Sequence, residues 1–346
     1  MTGETPIPTS WVGPIRLSGD VVGEQSVPLA TYESPLWPSV GRGARVSRLV
    51  EDGIRVSVVD ERMTRSTLFT APDAATAVAA ARAITARIDE LAAVVSARSR
   101  HAQLIDIDTE VVGHLLFVRF ALRTGDASGH NMVTLAAEGL MAAILANHPE
   151  LEYGSISGNF CSDKKATAVN GILGRGRSVI AEILIPAAIV EDQLRSTAAR
   201  IVALNTRKNL VGSTIAGALR SSNAHYANML LAIYLATGQD AANIVEGSQG
   251  ITYAEERDGD LLFSCTLPNL IVGTVGNGKD LPVVEDALQR LGCREDREPG
   301  ANARRLAAIV AATVLCGELS LLAAQTNQGE LMQSHLLLER RTEAGA

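Results

Sequence analysis

The sequence predicts an α+β protein whose large, mostly helical body is interrupted by a small inserted module of the ferredoxin-like, split βαβ kind. Three observations predict it. Helix, strand, strand, helix and strand patterns follow one another between residues 67 and 155, the order of a compact two-layer unit. Strand-like segments and long helical patterns lie on either side of that stretch. The glycine- and charge-rich segments suited to chemistry resume beyond it, so the module reads as an insertion.

Taken in order, Pro6, Pro8, Gly13 and Pro14 punctuate a turn-rich start, and Val21–Val22 and Val27–Leu29 read as short strands. After Pro72, Asp73 is placed to cap an alanine-rich helix running through Ala97, with Ile84, Ile88, Leu91, Val94 and Val95 at helical spacing. Leu104–Ile107 and His114–Leu122 are expected strands, a helix opens near Gly129 and runs to Ala146, and Tyr153–Ser157 closes the module. Val179–Ile185 is an apolar strand ended by Pro186; helical patterns then cover 188–206, 222–237, 281–291 and 299–326. Asn327-Gln328-Gly329 breaks the last helix, and residues 330–341 form a short amphipathic segment before a frayed end.

The chain has 346 residues, 47% hydrophobic and only 3% aromatic, so its core is expected to be aliphatic and closely packed. A net charge of −7 excludes the basic face of a nucleic-acid binder. Cys161, Cys265, Cys293 and Cys316 show no CxxC spacing, which fits a reducing cytoplasm rather than a disulfide framework. No signal peptide is visible at the start. The apolar run Leu306–Leu322 is interrupted by Gly317 and Glu318, which suits a buried helix rather than a membrane span. Six scattered histidines make no HExxH or similar pair, so no metal is expected.

Several segments carry chemistry. Ser157–Lys165 ends in Asp163-Lys164-Lys165; adjacent lysines repel unless they face something anionic, although a solvated turn fits the same pattern. Gly125–Met132 places glycines ahead of a helix, where backbone can approach a phosphate or merely turn. Gly273–Lys279 is a loop able to pack on a cofactor ring or simply to reverse the chain. Asp240 ends an apolar helix, where burial would raise its pKa. Glu33 is an acid in a short apolar segment, and His335 lies in the last amphipathic stretch.

Together these segments resemble one family. SGNFCSDKKATAVNGILGRGRSVIAEILIP, from Ser157 to Pro186, is similar to the segment of class I hydroxymethylglutaryl-coenzyme A reductases that carries the catalytic lysine, and GDASGHNM resembles their cofactor loop. ATYE, RMTR, KNLVGS, NAHYAN, GQDAA, GTVGNG and the final SH are similar to the remaining signatures, in order, from about Pro6 to His335. The resemblance implies reduction of 3-hydroxy-3-methylglutaryl-coenzyme A (HMG-CoA) to mevalonate by two hydrides from NADPH. The runner-up is a reductase of a different carboxylate-bearing acyl-coenzyme A, and another rival is a non-catalytic relative. The resemblance assigns catalysis to Glu33, Lys164, Asp240 and His335. Substrate contacts fall to Arg65, Ser157, Asp163, Lys165, Lys208 and Asn228, and cofactor contacts to Ser99, Arg100, Asp126, Gly129, Asn131, Met132, Gly276 and Gly278. It further implies a body made of residues 1–66 and 156–330, an NADP-binding module at 67–155, a mobile tail at 331–346, and at least a homodimer. The chain departs from the family at Ser128 and His130, where Met is usual, and at Asn277 and Lys279, where Gly and Thr are common; the family's ENVIG segment has no counterpart.

Overall fold

A computed structural model describes Gly3, residues 5–332 and Leu336. In chain order the elements are β1 (Thr9–Gly19), β2 (Gly23–Ala30), α1 (Leu36–Leu49), β3 (Ile54–Thr70), α2 (Ala74–Ala86), α3 (Ile88–Ser96), β4 (Gln103–Val112), β5 (Leu115–Arg123), α4 (His130–Asn147) and β6 (Glu152–Ser155). There follow α5 (Ala168–Leu173), β7 (Gly176–Ile185), α6 (Ala187–Leu194), α7 (Ala198–Leu204), a π-helical turn (Asn205–Gly212), α8 (Ser213–Ile215), β8 (Ser221–Ser222) and α9 (Tyr226–Ala236). A 3-10 turn (Ala241–Asn243), α10 (Ile244–Gly247), β9 (Gly250–Arg257), β10 (Asp260–Leu270), α11 (Pro282–Arg290) and α12 (Ala301–Gln325) complete the chain.

The strands form one branched sheet. Its main path runs β2-β1-β3-β7-β10-β9-β8. The second half of β3, from Met63, leaves that path to pair with β5 on one side and β6 on the other, while β4 pairs β5. The branch therefore reads β6-β3-β5-β4, covered by α2, α3 and α4, the strand order of a ferredoxin-like unit. Two apolar clusters match the two branches. One gathers residues Met63 to Leu151 with Ile271; the other joins β1, β2, β7 and β10 to α1, α9 and α12.

Helix α12 is the axis of the larger cluster. Its most apolar window has a mean hydropathy of 2.1, enough in length and composition to cross a membrane, yet 94% of that window is buried inside the protein. Alanine, glycine and serine let neighbours approach it closely: a Cβ on Gly43 of α1 would stand 2.3 Å from the Cys316 carbonyl oxygen, and one on Gly317 would stand 2.5 Å from Met229 Sδ of α9.

Some expectations need correction. Val21 and Val22 lie in the turn between β1 and β2 rather than in a strand. The alanine-rich helix breaks at Arg87 (φ −106°) into α2 and α3. The expected helix 188–206 breaks at Arg195, in the left-handed region at φ 53°, into α6 and α7. The pattern at 222–237 becomes helical only at Tyr226. An additional hairpin, β9–β10, turns at Asp258 and Gly259 (φ 53° and 92°), the backbone that an Asp-Gly pair favours.

Gly43→Ala tests the α1–α12 approach. The added methyl meets backbone rather than a flexible side chain, so a stability loss of about 1–3 kcal/mol is expected, read as a lower midpoint in urea unfolding. An unchanged midpoint would show that the two helices separate freely.

Candidate active site

The loop 156–167, between β6 and α5, carries the adjacent lysines. Its backbone is unusual: Asn159, Ser162 and Lys164 all adopt left-handed φ of 60°, 50° and 55°. Three such non-glycine residues within six positions persist only where surroundings over-determine them. At Lys164 the determinant is Glu246, which is wholly buried. Its Oε1 accepts the Lys164 backbone N–H at 3.0 Å, Arg175 Nη1 at 2.9 Å and Asn243 Nδ2 at 3.1 Å. Burial pushes the Glu246 carboxyl above the usual range, against these donors. Arg175 Nη2 also lies 3.0 Å from Asp163 Oδ1.

With its backbone so fixed, Lys164 directs Nζ to Asp240 Oδ2 at 2.8 Å. The hydrogen bond with Asp240 holds the ammonium pKa above that of an ordinary lysine, although burial opposes it. For Asp240, burial works upward, but the Lys164 hydrogen bond and the Ala242 N–H outweigh it and leave the carboxyl below the usual range. The expectation of a burial-raised Asp240 is thus corrected: the adjacent cation wins because both groups remain partly open to water. Lys165 folds back, donating Nζ to the Asp163 carbonyl at 3.0 Å. Ser157, exposed two residues after β6, donates its N–H to Ser155 Oγ at 3.1 Å.

Two glycine loops adjoin this site. A Cβ on Gly273 would lie 2.3 Å from the Ser128 nitrogen, and Thr274 N–H donates to the Asp126 carbonyl at 2.8 Å. Gly276 and Gly278 (φ 104° and 80°) continue the second loop, while Gly129 (φ 96°) caps α4, which begins with His130, Asn131 and Met132. The Asp126 side chain is occupied: its two oxygens accept the Gly300 and Ala303 N–H groups, each at 2.9 Å. It thereby caps α12 from another segment. A cleft of about 1240 Å³ opens beside these loops, lined by Arg100, Asp126 and Met132 of the predicted set and by Arg123, Arg297 and Arg304. Ser99 Oγ accepts the His101 and Ala102 N–H groups and so shapes the turn that presents Arg100. Arg65 lies on β3 opposite Phe120, its Nε buried and without a hydrogen-bond partner among the described residues.

The other predicted residues gather elsewhere. Lys208, in the π-helical turn, donates to Asn209 Oδ1 at 3.4 Å, and burial lowers its pKa despite the negative charge of Glu318. Asn228 Nδ2 lies 3.4 Å from His225 Nδ1. Buried Glu318 of α12 ties this region together, accepting the N–H groups of Ala224 and His225 at 2.5 and 3.1 Å. Glu33 is exposed at the start of α1, whose Ser39 and Arg42 bond Ser320 of α12 at 3.1 and 3.0 Å. No hydrogen bond or ion pair among the described residues joins Lys164 or Asp240 to Glu33, Lys208 or Asn228. His335 lies outside the described residues.

Sequence reasoning missed Glu246 and Arg175. The available signal was the spacing Asp240, Asn243, Glu246, which aligns polar groups along one short helical stretch. Lys279 was noted as a departure from the family, but its setting was not foreseen: it is 4% exposed, bonds the Gly238 carbonyl, and is pushed down to about 8 by burial and then by Arg294.

Three comparisons bear on this geometry. The family model for hydroxymethylglutaryl-coenzyme A reductase matches residues 1–340. A 3-hydroxy-3-methylglutaryl-coenzyme A reductase of Pyrococcus horikoshii is 45% identical, with 98% of this chain and 83% of that protein covered. One from Aeropyrum pernix is 42% identical, covering 98% and 80%. Among solved structures, the class II reductase of Streptococcus pneumoniae bound to NADPH has a TM-score of 0.74 at 21% identity, covering 94% of this chain and 86% of that one, a likeness of fold.

Lys279 yields a test of the site's electrostatics. Its folded pKa is below its unfolded value near 10.5, so the native state binds fewer protons and the charged form penalises folding below about pH 8. Lys279→Met should therefore raise the thermal midpoint at pH 7, with the advantage shrinking as pH rises toward 10. A gain that is flat with pH would assign the effect to packing alone.

Proposed function

The chain belongs to the hydroxymethylglutaryl-coenzyme A reductase family, and we propose the following division of work among its residues in the NADPH-dependent reduction of HMG-CoA to mevalonate and free coenzyme A. The observation that carries the reading is the Lys164–Asp240 pair, at 2.8 Å, in a loop whose backbone is over-determined. Reduction of a thioester places negative charge on its oxygen. Lys164, kept cationic by Asp240, meets that charge with an N–H already in position, which is where preorganised electrostatics contribute most. His335 protonates the departing sulfur of coenzyme A, and Glu33 gives the proton taken up by the oxygen of the aldehyde. Lys165 and Lys208 neutralise the distal carboxylate of the substrate, with Ser157, Asp163, Asn228 and Arg65 around it.

The residues present fit NADPH. Arg100 and four further arginines, Arg123, Arg297, Arg304 and Arg305, line the large cleft, suiting a phosphorylated ligand. The orphaned Nε of Arg65 offers a donor, and Gly276, where a Cβ would meet nothing within 4 Å, leaves backbone open to close approach. NADPH, when bound, supplies a hydride for each of the two reductions. Residues 67–155 form the module that holds it, with Met132 of α4 lining the cleft and Asn131 beside it in the chain.

A second copy of the chain completes the site. Lys164 and Asp240 stand on one group of loops, whereas Lys208 and Asn228 lie by Glu318 of α12 and Glu33 lies ahead of α1, none of them bonded to the first group. Exposed apolar side chains border both: Ile172 follows the Lys164 loop, and Leu210, Val211, Ile215 and Leu219 follow Lys208. Exposed apolar side chains at both places favour self-association. A homodimeric, cytoplasmic enzyme accords with the buried α12 and the free, buried cysteines.

Purified protein should oxidise NADPH when given HMG-CoA, and Lys164→Met should lower kcat by about 10²–10³-fold with an unchanged far-ultraviolet spectrum. No turnover with either nicotinamide cofactor would reject the assignment; a panel of other acyl-coenzyme A thioesters separates the reading from its nearest rival. Light scattering should give at least twice the chain mass of 36.4 kDa. Ile172→Asp combined with Ile215→Glu should yield folded monomers that no longer turn over; active monomers would place the whole site within one chain.

A further inference from the structure

His130 opens α4 directly after Gly129, so one stretch of backbone joins it to the loop 126–132 assigned to the cofactor. Gly129, at φ 96°, turns the chain sharply, and any Cβ there would meet the Thr124 side chain at 2.7 Å. The imidazole is not part of the cleft lining and points instead to loop 156–167. Its Nε2 stands 3.7 Å from Asp163 Oδ1. That is too long for a hydrogen bond, and the buried Nε2 has no other partner among the described residues. The same Asp163 oxygen is approached by Arg175 at 3.0 Å.

The charged groups around the ring come from three segments: Asp163 and Lys164 from loop 156–167, Arg175 ahead of β7, and Asp240 after α9. The first turn of α4 adds no acid of its own. Burial, then the charge of Arg175, drive the imidazole pKa down to about 4. At neutral pH the ring is therefore uncharged, adding no positive charge beside Lys164, and acts only through a directional N–H.

We propose that His130 is a positioning residue that couples the two ligand sites: with both ligands bound, its Nε2–H closes on Asp163 and fixes the cofactor loop against the loop that carries Lys164. Closing from 3.7 Å to an ordinary N–H···O separation of about 2.9 Å takes a shift of under about 1 Å. The family that the chain resembles carries Met at this position, and a thioether donates no hydrogen bond. The coupling is thus a property of this chain's own sequence. Because such coupling is reciprocal, each ligand tightens the other by the same factor.

The proposal rests on the reductase reading, and its test separates the two. NADPH affinity is measured by its fluorescence with and without 3-hydroxy-3-methylglutarate, and turnover of the unmodified protein is measured alongside. The unmodified protein should bind NADPH five- to tenfold more tightly when the acid is present. His130→Met should reduce that ratio below twofold and lower kcat, while the affinity for each ligand alone stays within twofold. His130→Gln, which retains an N–H donor, should recover part of the ratio, and near-ultraviolet dichroism verifies that both variants fold. A full ratio in His130→Met, or none in the unmodified protein despite normal turnover, overturns the coupling alone. An unmodified protein that neither binds nor oxidises NADPH overturns both.

Discussion

A single buried carboxylate organises the catalytic side of this protein. Glu246 Oε1 collects a backbone N–H, a guanidinium and a side-chain amide, and removing it would leave two buried donors, on Arg175 and Asn243, and the part-buried Lys164 N–H without this acceptor. Such networks have large consequences, and this one is satisfied at Oε1 but not throughout: Glu246 Oε2, Asn243 Oδ1 and Arg175 Nε are buried without a hydrogen-bond partner among the described residues. Here the arrangement fixed is a left-handed lysine whose ammonium meets Asp240. The backbone of Lys164 and, through Arg175, the place of Asp163 follow from that anchor, while Asp240 sets the charge state of the ammonium.

A second buried acid does comparable work on the far side of the core. Glu318 interrupts the most apolar helix in the chain, and its oxygens serve the start of α9 and the hydroxyl of Thr252 at 2.9 Å. Lys208 and Asn228 stand within this setting, and burial already disfavours the charged form of Lys208. A buried cation of this kind gains by being paired with an anion. The chain has two polar centres built on two buried glutamates, each organising functional groups that the other does not reach.

Much of this was legible in the sequence. Asp73 accepts the Thr76 N–H at 2.7 Å, as its position ahead of an alanine-rich run suggested, and the burial of the 306–322 stretch follows from the interruption at Gly317 and Glu318. The order of the ferredoxin-like unit was readable because each of its elements has a clean period. What could not be read depends on partners remote in the chain. Arg175 and Glu246 are separated by 71 residues, and no local period marks them as a pair. The strands of the β9–β10 hairpin were passed over because β10 is buried along nearly its whole length and so shows no alternation. Glu33, whose role came from resemblance alone, has no physical signal in either the sequence or its surroundings in one chain.

Strand β3 is continuous for 17 residues, and its two halves belong to different branches of the sheet. The inserted unit is consequently joined to the body by a rod under torsion rather than by a free pivot. Any reorientation of one branch against the other winds or unwinds a hydrogen-bonded ribbon, which stores elastic energy and springs back. A change of angle between the two branches has to be taken up at the crossing near Arg62 and Met63, where β3 passes from β7 to β5.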